Sequence, residues 1–359
     1  MRLFVDCRYV RTHVHDGISR YTASLVQAAS AHAQITMLIS DPAQLNLLPA
    51  LPWVRISSPT GPREPFVARQ INPHRPDVVF SPMQTMGSLG RRYPLILTLH
   101  DLIYYQHPTP PADLPAPVRA GWRLFHLSYL PQRLLLNRAD AVATVSQTTR
   151  DLILRHRLTT NKVHLIPNAP QPVGRPRAAD QPPAKELVYM GSYMEYKNVE
   201  ALIQAVDRLP EYRLHLCSPV SPGRRAQLSG LAHRPGQLVW HDGISEQSYS
   251  QLLDSATALV TLSRAEGYGL PVIEAMSRGT PVVASELPIF REVAGSAAAE
   301  AGVQFTDPDD AAGLAAAVRA LEDPGRFRRA SAAALERSGD YSWEDSALRL
   351  VRLAESMLG

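Results

Sequence analysis

The chain is predicted to fold as an α/β protein of two doubly wound domains, each built on a parallel sheet. Short β-rich runs recur along the sequence with helical stretches between them, the pattern that parallel sheets require. At 359 residues, 45% hydrophobic and 19% charged, the chain can bury two cores of ordinary domain size. A stretch without apolar periodicity, residues 168–185 with five prolines, divides the runs into two sets.

The first set of expected strands is 3–7, 35–39, 54–57, 78–81, 95–100, 141–146 and 163–167. The second is 187–191, 213–217, 238–241, 258–263, 281–285 and 303–305. This places an N-terminal domain at 1–170, a linker at 171–184 and a C-terminal domain at 185–341. After the first strand, Ile18, Tyr21, Leu25 and Ala29 fall on one face at helical spacing. At the chain's end a helix over 343–358 carries Ala347, Leu350, Val351, Ala354 and Met357 on a shared stripe. Such a face must pack, and the segment 342–359 is expected to return across the hinge to the first domain.

Composition narrows the function classes. Apolar runs such as 94–99 and 141–145 are far too short to cross a bilayer, and the N-terminus enters directly into the strand-like Leu3-Phe4-Val5, so no export signal is expected. Cys7 and Cys217 lie in expected strands far apart in sequence, which fits reduced core thiols better than a disulfide frame or metal site and points to the cytoplasm. The net charge of +4 and pI of about 9.1 come almost wholly from arginine spread along the chain. Anionic substrates or an anionic membrane surface suit this balance. Nucleic acid does not, because no helix-turn-helix, zinc-ligand or aromatic RNA-binding pattern is present.

The run from Arg264 through Glu266, Gly267, Tyr268, Gly269, Leu270, Pro271 and Glu274 to Met276 is the most informative. It reads as a strand, a glycine-bearing loop with one carboxylate, then a helix opened by Pro271 with a second carboxylate in its first turns. A helix start offers N–H groups and a positive dipole end to a diphosphate, and flanking acids take hydroxyl groups. That combination describes a sugar nucleotide. Taken alone, the same residues also fit an ordinary loop, since glutamates near helix N-termini are common and loop glycines often only turn the chain.

Other positions carry two readings each. His100 follows the run 95–99 and should emerge at the carboxyl edge of a strand, where open α/β sheets bind ligands; a lone histidine there is also a common structural residue. Gly17, in the first strand-to-helix loop, lets backbone approach a ligand closely or simply turns the chain. Lysine stands only at 162, 185 and 197, so Lys197 is either a point charge for phosphate or a solvated loop lysine. Asp307-Pro308-Asp309 looks like a metal-binding acid pair, but it precedes Asp310 and the alanine-rich stretch 311–321, so helix capping explains it. Ser146 before 147–154 reads as an N-cap and not as a nucleophile.

In order along the chain, Asp16-Gly17-Ile18-Ser19-Arg20-Tyr21, Leu99-His100-Asp101-Leu102, Thr144-Val145-Ser146, Ile166-Pro167-Asn168, Tyr189-Met190-Gly191-Ser192 with Lys197-Asn198, Glu266 to Glu274 and Gly279-Thr280-Pro281-Val282-Val283 resemble a retaining glycosyltransferase of family 4. The resemblance covers nearly the whole chain and implies the GT-B architecture, two Rossmann-like domains facing a central cleft. It implies that Glu266 lies beside the donor sugar and diphosphate and that Glu274 accepts hydrogen bonds from the ribose. Amides of Gly267, Tyr268, Gly269 and Leu270 would meet the phosphates, Lys197 the leaving diphosphate, and His100 the donor sugar and acceptor. Glu266, His100 and Lys197 are thus the catalytic candidates. Gly17, Ser192, Lys197, Gly267 to Leu270 and Glu274 are the donor-binding ones.

One departure from the family pattern matters. Many members carry an arginine directly after the glycine at position 191, where this chain has Ser192. Diphosphate neutralisation then falls to Lys197 and helix amides, or to an arginine such as Arg264 or Arg20. The resembling branch transfers mannose or related hexoses in polysaccharide and glycolipid assembly, which points to guanosine diphosphate mannose as donor. No catalytic metal or other cofactor is expected. The rival readings are a non-hydrolysing nucleotide-sugar epimerase and a nucleotide-sugar-binding subunit that has lost catalysis. A nicotinamide dehydrogenase is disfavoured, since no glycine fingerprint follows the first strand. Finally, 118–136 carries Trp122, Leu124, Phe125, Leu127, Tyr129 and Leu130 among Arg119, Arg123 and Arg133. It either lies on the inner membrane face to reach a lipid-linked acceptor or is a helix, broken or kinked near Pro131, that packs on the N-terminal domain.

Overall fold

The computed structural model describes residues 1–110, 116–171, 174, 176–178, 181–295 and 302–359. Part of the expected linker, at 172, 173, 175, 179 and 180, lies outside these residues. The chain forms two compact units, one of Met1–Ala169 with Tyr341–Gly359 and the other of Pro170–Asp340.

The first unit holds a seven-stranded sheet of β1 (Arg2–Asp6), β2 (Gln34–Ile39), β3 (Trp53–Arg55), β4 (Val78–Ser81), β5 (Leu95–Leu99), β6 (Ala141–Thr144) and β7 (Val163–Leu165), in the order β3-β2-β1-β4-β5-β6-β7. Every pairing is parallel. β4, β5 and β6 are buried along their whole length, as befits strands covered by helices on both faces. The second unit holds β8 (Ala184–Tyr189), β9 (Arg213–Leu216), β10 (Leu238–Trp240), β11 (Ala256–Thr261), β12 (Val282–Ser285) and β13 (Val303–Thr306), in the order β10-β9-β8-β11-β12-β13. This sheet is parallel too, with a register shift between β8 and β11 at Ala256/Ala258.

All the strands expected from sequence are present, with no end moved by more than three residues; β8 begins at Ala184, where 187 was expected. In each sheet the order reverses once, between β1 and β4 and between β8 and β11. Loops leaving the carboxyl ends of those neighbours diverge, and the gap between them is where such sheets take ligands.

The helix Gly17–Ala29 buries Tyr21, Leu25 and Ala29, with Ile18 partly covered. Gly17 is its first residue and not part of the preceding loop, because the Asp16 side chain accepts from Ser19 N at 2.8 Å and caps the helix one position earlier. The terminal helix, Trp343–Glu355, is capped by Ser342 and packs on Gly17–Ala29. Its Trp343 ring lies 5.9 Å from Tyr21, and Ser346 Oγ donates to Pro167 O at 2.8 Å. The expected stripe is buried except at Met357, which falls beyond the helix end. Cys7 and Cys217 are buried free thiols, and burial pushes both thiol pKa values up, that of Cys217 to about 12.

A charged cluster sits where the first sheet reverses. Arg8, just after β1, donates through Nε and Nη2 to Asp6 at 2.8 and 3.0 Å, through Nη2 to Glu64 Oε1 at 2.9 Å, and through Nη1 to Glu64 and to Ser57 O. Gly87 N donates to the same Glu64 at 2.9 Å. A Cβ on Gly87 would lie 1.7 Å from Glu64 O, so no larger residue fits there. Removing one partner of such a buried set leaves a charge uncompensated. Glu64→Ala is therefore expected to cost about 3 kcal/mol of stability, read as a lower urea midpoint by circular dichroism; an unchanged midpoint would show that Asp6 alone satisfies Arg8.

Candidate active site

In the second unit the loops after β8 and β11 bring two sequence-distant candidates together. Lys197 Nζ donates to Glu266 Oε1 at 2.6 Å, with the two side chains 13% and 14% exposed. Lys197 closes the short 3₁₀ turn Glu195–Lys197, and Asn198 follows in the left-handed region at φ 54°. The Asn198 side chain donates to Pro308 O at 2.7 Å, fixing the end of that turn. Glu266 is held from the other side by Ser263 Oγ, which donates to the same Oε1 at 2.9 Å. Ser263 in turn meets Thr261 at the end of β11. Among the described residues, both contacts fall on Oε1, and one of the three Lys197 donors is engaged.

Directly beyond lies the helix Leu270–Ser277. It opens at Leu270 with Pro271 second, one residue earlier than the sequence suggested, because Gly269 at φ 88° serves as N-cap. A side chain at 269 would also strike the Phe290 ring, whose Cε1 would lie 2.6 Å from the added Cβ. Glu274 is buried on this helix, 9% exposed. Tyr268 and Gly269 are buried, while Gly267 and Leu270 are partly open.

The loop after β8 has its own supports. Gly191 N donates to Ser218 Oγ at 3.1 Å, and Tyr189 Oη donates to Ser192 O at 2.7 Å. Arg224 Nε donates to Tyr193 O at 3.1 Å while its Nη2 pairs with Glu200 at 2.6 Å. The Ser192 side chain is exposed. Arg264, a candidate for the missing family arginine, is engaged by Asp309 through two bonds of 3.0 and 2.6 Å. That pairing raises its pKa further above the ordinary arginine value. In the capping segment Asp310 caps the helix Ala311–Ala320 by accepting from Gly313 N at 2.8 Å, while Asp307 accepts from Asp309 N. Ser146 likewise caps Gln147–Arg155 by accepting from Thr149 N at 3.0 Å.

In the first unit His100 leaves the end of β5. Its Nε2 donates to Pro82 O at 2.7 Å, which leaves Nδ1 as the lone-pair nitrogen. The ring meets Tyr21 edge-on at 5.1 Å. Asp101 accepts from Ile103 N at 3.0 Å, at the start of the next short helix. His100 lines a cavity of about 110 Å³ with Ile18, Gln84, Tyr105, His126 and Gln132 among its walls. Among the described residues, Gln132 Nε2 and Tyr105 Oη are buried without a hydrogen-bond partner, so two donors are ready for a polar ligand. Sequence reasoning gave no role to Ser263, Asn198 or Gln132: Ser263 acts through Glu266 three residues on, Asn198 through Pro308 on a distant loop, and Gln132 by its burial in the wall of the His100 cavity.

This pairing of two doubly wound sheets is the GT-B class of fold. Over 99% of its length the chain superposes on sucrose-phosphate synthase from Thermosynechococcus elongatus, covering 98% of that protein with a TM-score of 0.78 at 20% identity. It superposes on Anabaena HepE, solved in complex with UDP and glucose, over 99% of both chains with a TM-score of 0.74 at 17% identity. Residues 15–170 match the family model described as Glycosyltransferase Family 4, and 175–337 match that of the glycosyl transferases group 1. The chain belongs to glycosyltransferase family 4. It is 30% identical to O-antigen chain mannosyltransferase B of Escherichia coli over 58% of this chain and 59% of that one. It is 28% identical to D-inositol 3-phosphate glycosyltransferase 1 of Catenulispora acidiphila over 60% and 57%. The match thus spans under two thirds of the length of these relatives.

Burial pushes the His100 pKa down, outweighing the Pro82 hydrogen bond and the Asp101 charge. The folded chain then keeps His100 neutral at pH values where an unfolded histidine, titrating near 6.5, takes a proton. Its contribution to stability is therefore complete above about pH 6.5 and is lost as the pH falls toward the depressed folded value. His241, lowered by burial and by His215, acts in the same sense. Urea unfolding at pH 7.5 and 5.5 should show a fall at the lower pH that is smaller in His100→Gln. An equal fall would assign the dependence to other groups.

Proposed function

We propose that the chain is a retaining hexosyltransferase that moves a hexose from a nucleotide diphosphate sugar to an acceptor hydroxyl of a glycan, glycolipid or small glycoside. The observation that carries the reading is the Lys197–Glu266 pair beside the start of the helix Leu270–Ser277, where the second sheet reverses. A cation with donors to spare suits a diphosphate, a half-engaged carboxylate suits a hexose hydroxyl, and a buried second carboxylate one turn into the helix suits a ribose. Family membership supports the same assignment, and the mannosyltransferases among the relatives favour mannose. The UDP and glucose of the Anabaena complex support a nucleotide diphosphate sugar as donor class.

In this scheme the bond between the anomeric carbon and the diphosphate oxygen breaks, leaving positive charge on the sugar ring and negative charge on phosphate. The Lys197 ammonium and the N–H groups from Gly267 to Leu270 stabilise the second, acting as fixed donors that need no rearrangement. Glu266 Oε2 orients the hexose and Glu274 the ribose. The acceptor hydroxyl attacks from the face the diphosphate leaves, so the anomeric configuration is kept, and its proton passes to the departing phosphate oxygen. Ser192, in the loop after β8, meets the donor through its backbone. Neutral His100 offers Nδ1 to an acceptor hydroxyl, with Gln132 and Tyr105 donating to its neighbours. The scheme uses no metal and no organic cofactor.

A thermal-shift screen with uridine and guanosine diphosphate hexoses finds the donor, because a ligand bound only by the folded form raises its melting point. With that donor, Glu274→Ala should weaken binding by about 10- to 100-fold. Lys197→Ala should lower kcat by roughly 100-fold or more with a smaller change in KM. Unchanged donor affinity in Glu274→Ala would end the ribose assignment. Conversion of the donor to a second nucleotide sugar without acceptor would favour an epimerase, and tight binding without turnover across acceptors would favour an inactive binding subunit.

A further inference from the structure

The sequence stretch 118–136 forms two helices, Ala116–His126 and Leu130–Leu136, with the break at 127–129 just before Pro131. Their inner side is anchored to the first unit. Gln132 and Leu136 are buried, Tyr129 stacks on His156 at 4.5 Å, and Trp122 meets Tyr104 edge-on at 4.9 Å. The outer side is apolar. Leu127, Leu130 and Leu134 recur at spacings of three and four and are 80%, 59% and 57% exposed, and Val118 and Leu124 are exposed as well. Monomeric proteins seldom leave so many large apolar side chains together in water without a use for them.

The charge on this element is one-sided. Residues 116–139 contain four arginines and no aspartate or glutamate. Arg123, Arg133 and Arg138 are exposed, and none of them enters an ion pair among the described residues. From this surface we infer a dock for an anionic lipid bilayer, with the leucines at the acyl boundary and the guanidinium groups among the lipid phosphates. No helix among the described residues is long and apolar enough to cross a membrane, so the contact lies in the plane of the interface. A second copy of the chain is a poorer occupant, since a two-fold contact would set arginine against arginine with no acid on the patch to pair with. Nucleic acid would engage the arginines and leave the leucines in water. The inference goes beyond the transferase reading and does not depend on it.

The full chain is sedimented with vesicles of phosphatidylcholine alone and with one third phosphatidylglycerol, at low and high salt. Binding is expected with the anionic vesicles and should weaken with salt. Replacing Leu127, Leu130 and Leu134 together by asparagine should lower partitioning by about tenfold or more, and Arg123→Glu by about fivefold or more. Both variants should keep their circular dichroism and their thermal shift with donor, which separates this test from a failure of the transferase reading. Wild-type chain left in the supernatant, or partitioning indifferent to the leucine changes, would overturn the inference. Loss of a dimer in the leucine variant without vesicle binding would assign the surface to a second copy.

Discussion

An ammonium and a carboxylate, drawn from loops 69 residues apart, meet at 2.6 Å between the carboxyl ends of β8 and β11. Neither group is well hydrated there, and a shielded charge without its counterpart is costly. The pair therefore ties the two loops to each other and to the reversal point of the sheet. Ser263 and Asn198 hold the arrangement from either side. The helix start at Leu270, the amides of the loop before it and Glu274 all take their places relative to that contact.

The first sheet has charges at its own reversal point, and they do something different. Arg8 has every guanidinium N–H committed, to Asp6, Glu64 and Ser57. A saturated cation has nothing left for a ligand. Among the described residues Lys197, by contrast, keeps donors in reserve, and Glu266 keeps an oxygen. Satisfaction, more than burial, distinguishes a charged cluster that braces the fold from one that can meet a substrate. Arg264 stands between these cases, with three of its five N–H donors given to Asp309 and Asn198.

Helices 116–126 and 130–136 serve two surroundings at once. Inward, Gln132 and His126 join His100 around a small cavity. Outward, the leucine stripe faces solvent beside unpaired arginines. The packing alternative left open by the sequence describes the inner side, and the membrane alternative concerns the outer one, because a helix that packs on a domain still has an outer face. The break at 127–129 lets the two halves follow the domain while keeping their leucines outside.

Much was legible from the linear order of residues. The strands, the capping role of Ser146, the glycine-bearing loop ahead of Pro271 and the apolar stripe of the last helix are local matters, set by periodicity and backbone preference within a few residues. The family motifs fixed the candidates Lys197, Glu266, Glu274 and His100 by type and spacing. Tertiary structure decided which of these meet. Only the strand order puts the loop after β8 beside the one after β11, and only folding gives Arg264 its acid partner, turns His100 toward Pro82 and buries Gln132 without one. Sequence specifies each element through its own neighbours along the chain, but a contact between loops depends on sheet order, and that is settled by how whole elements pack.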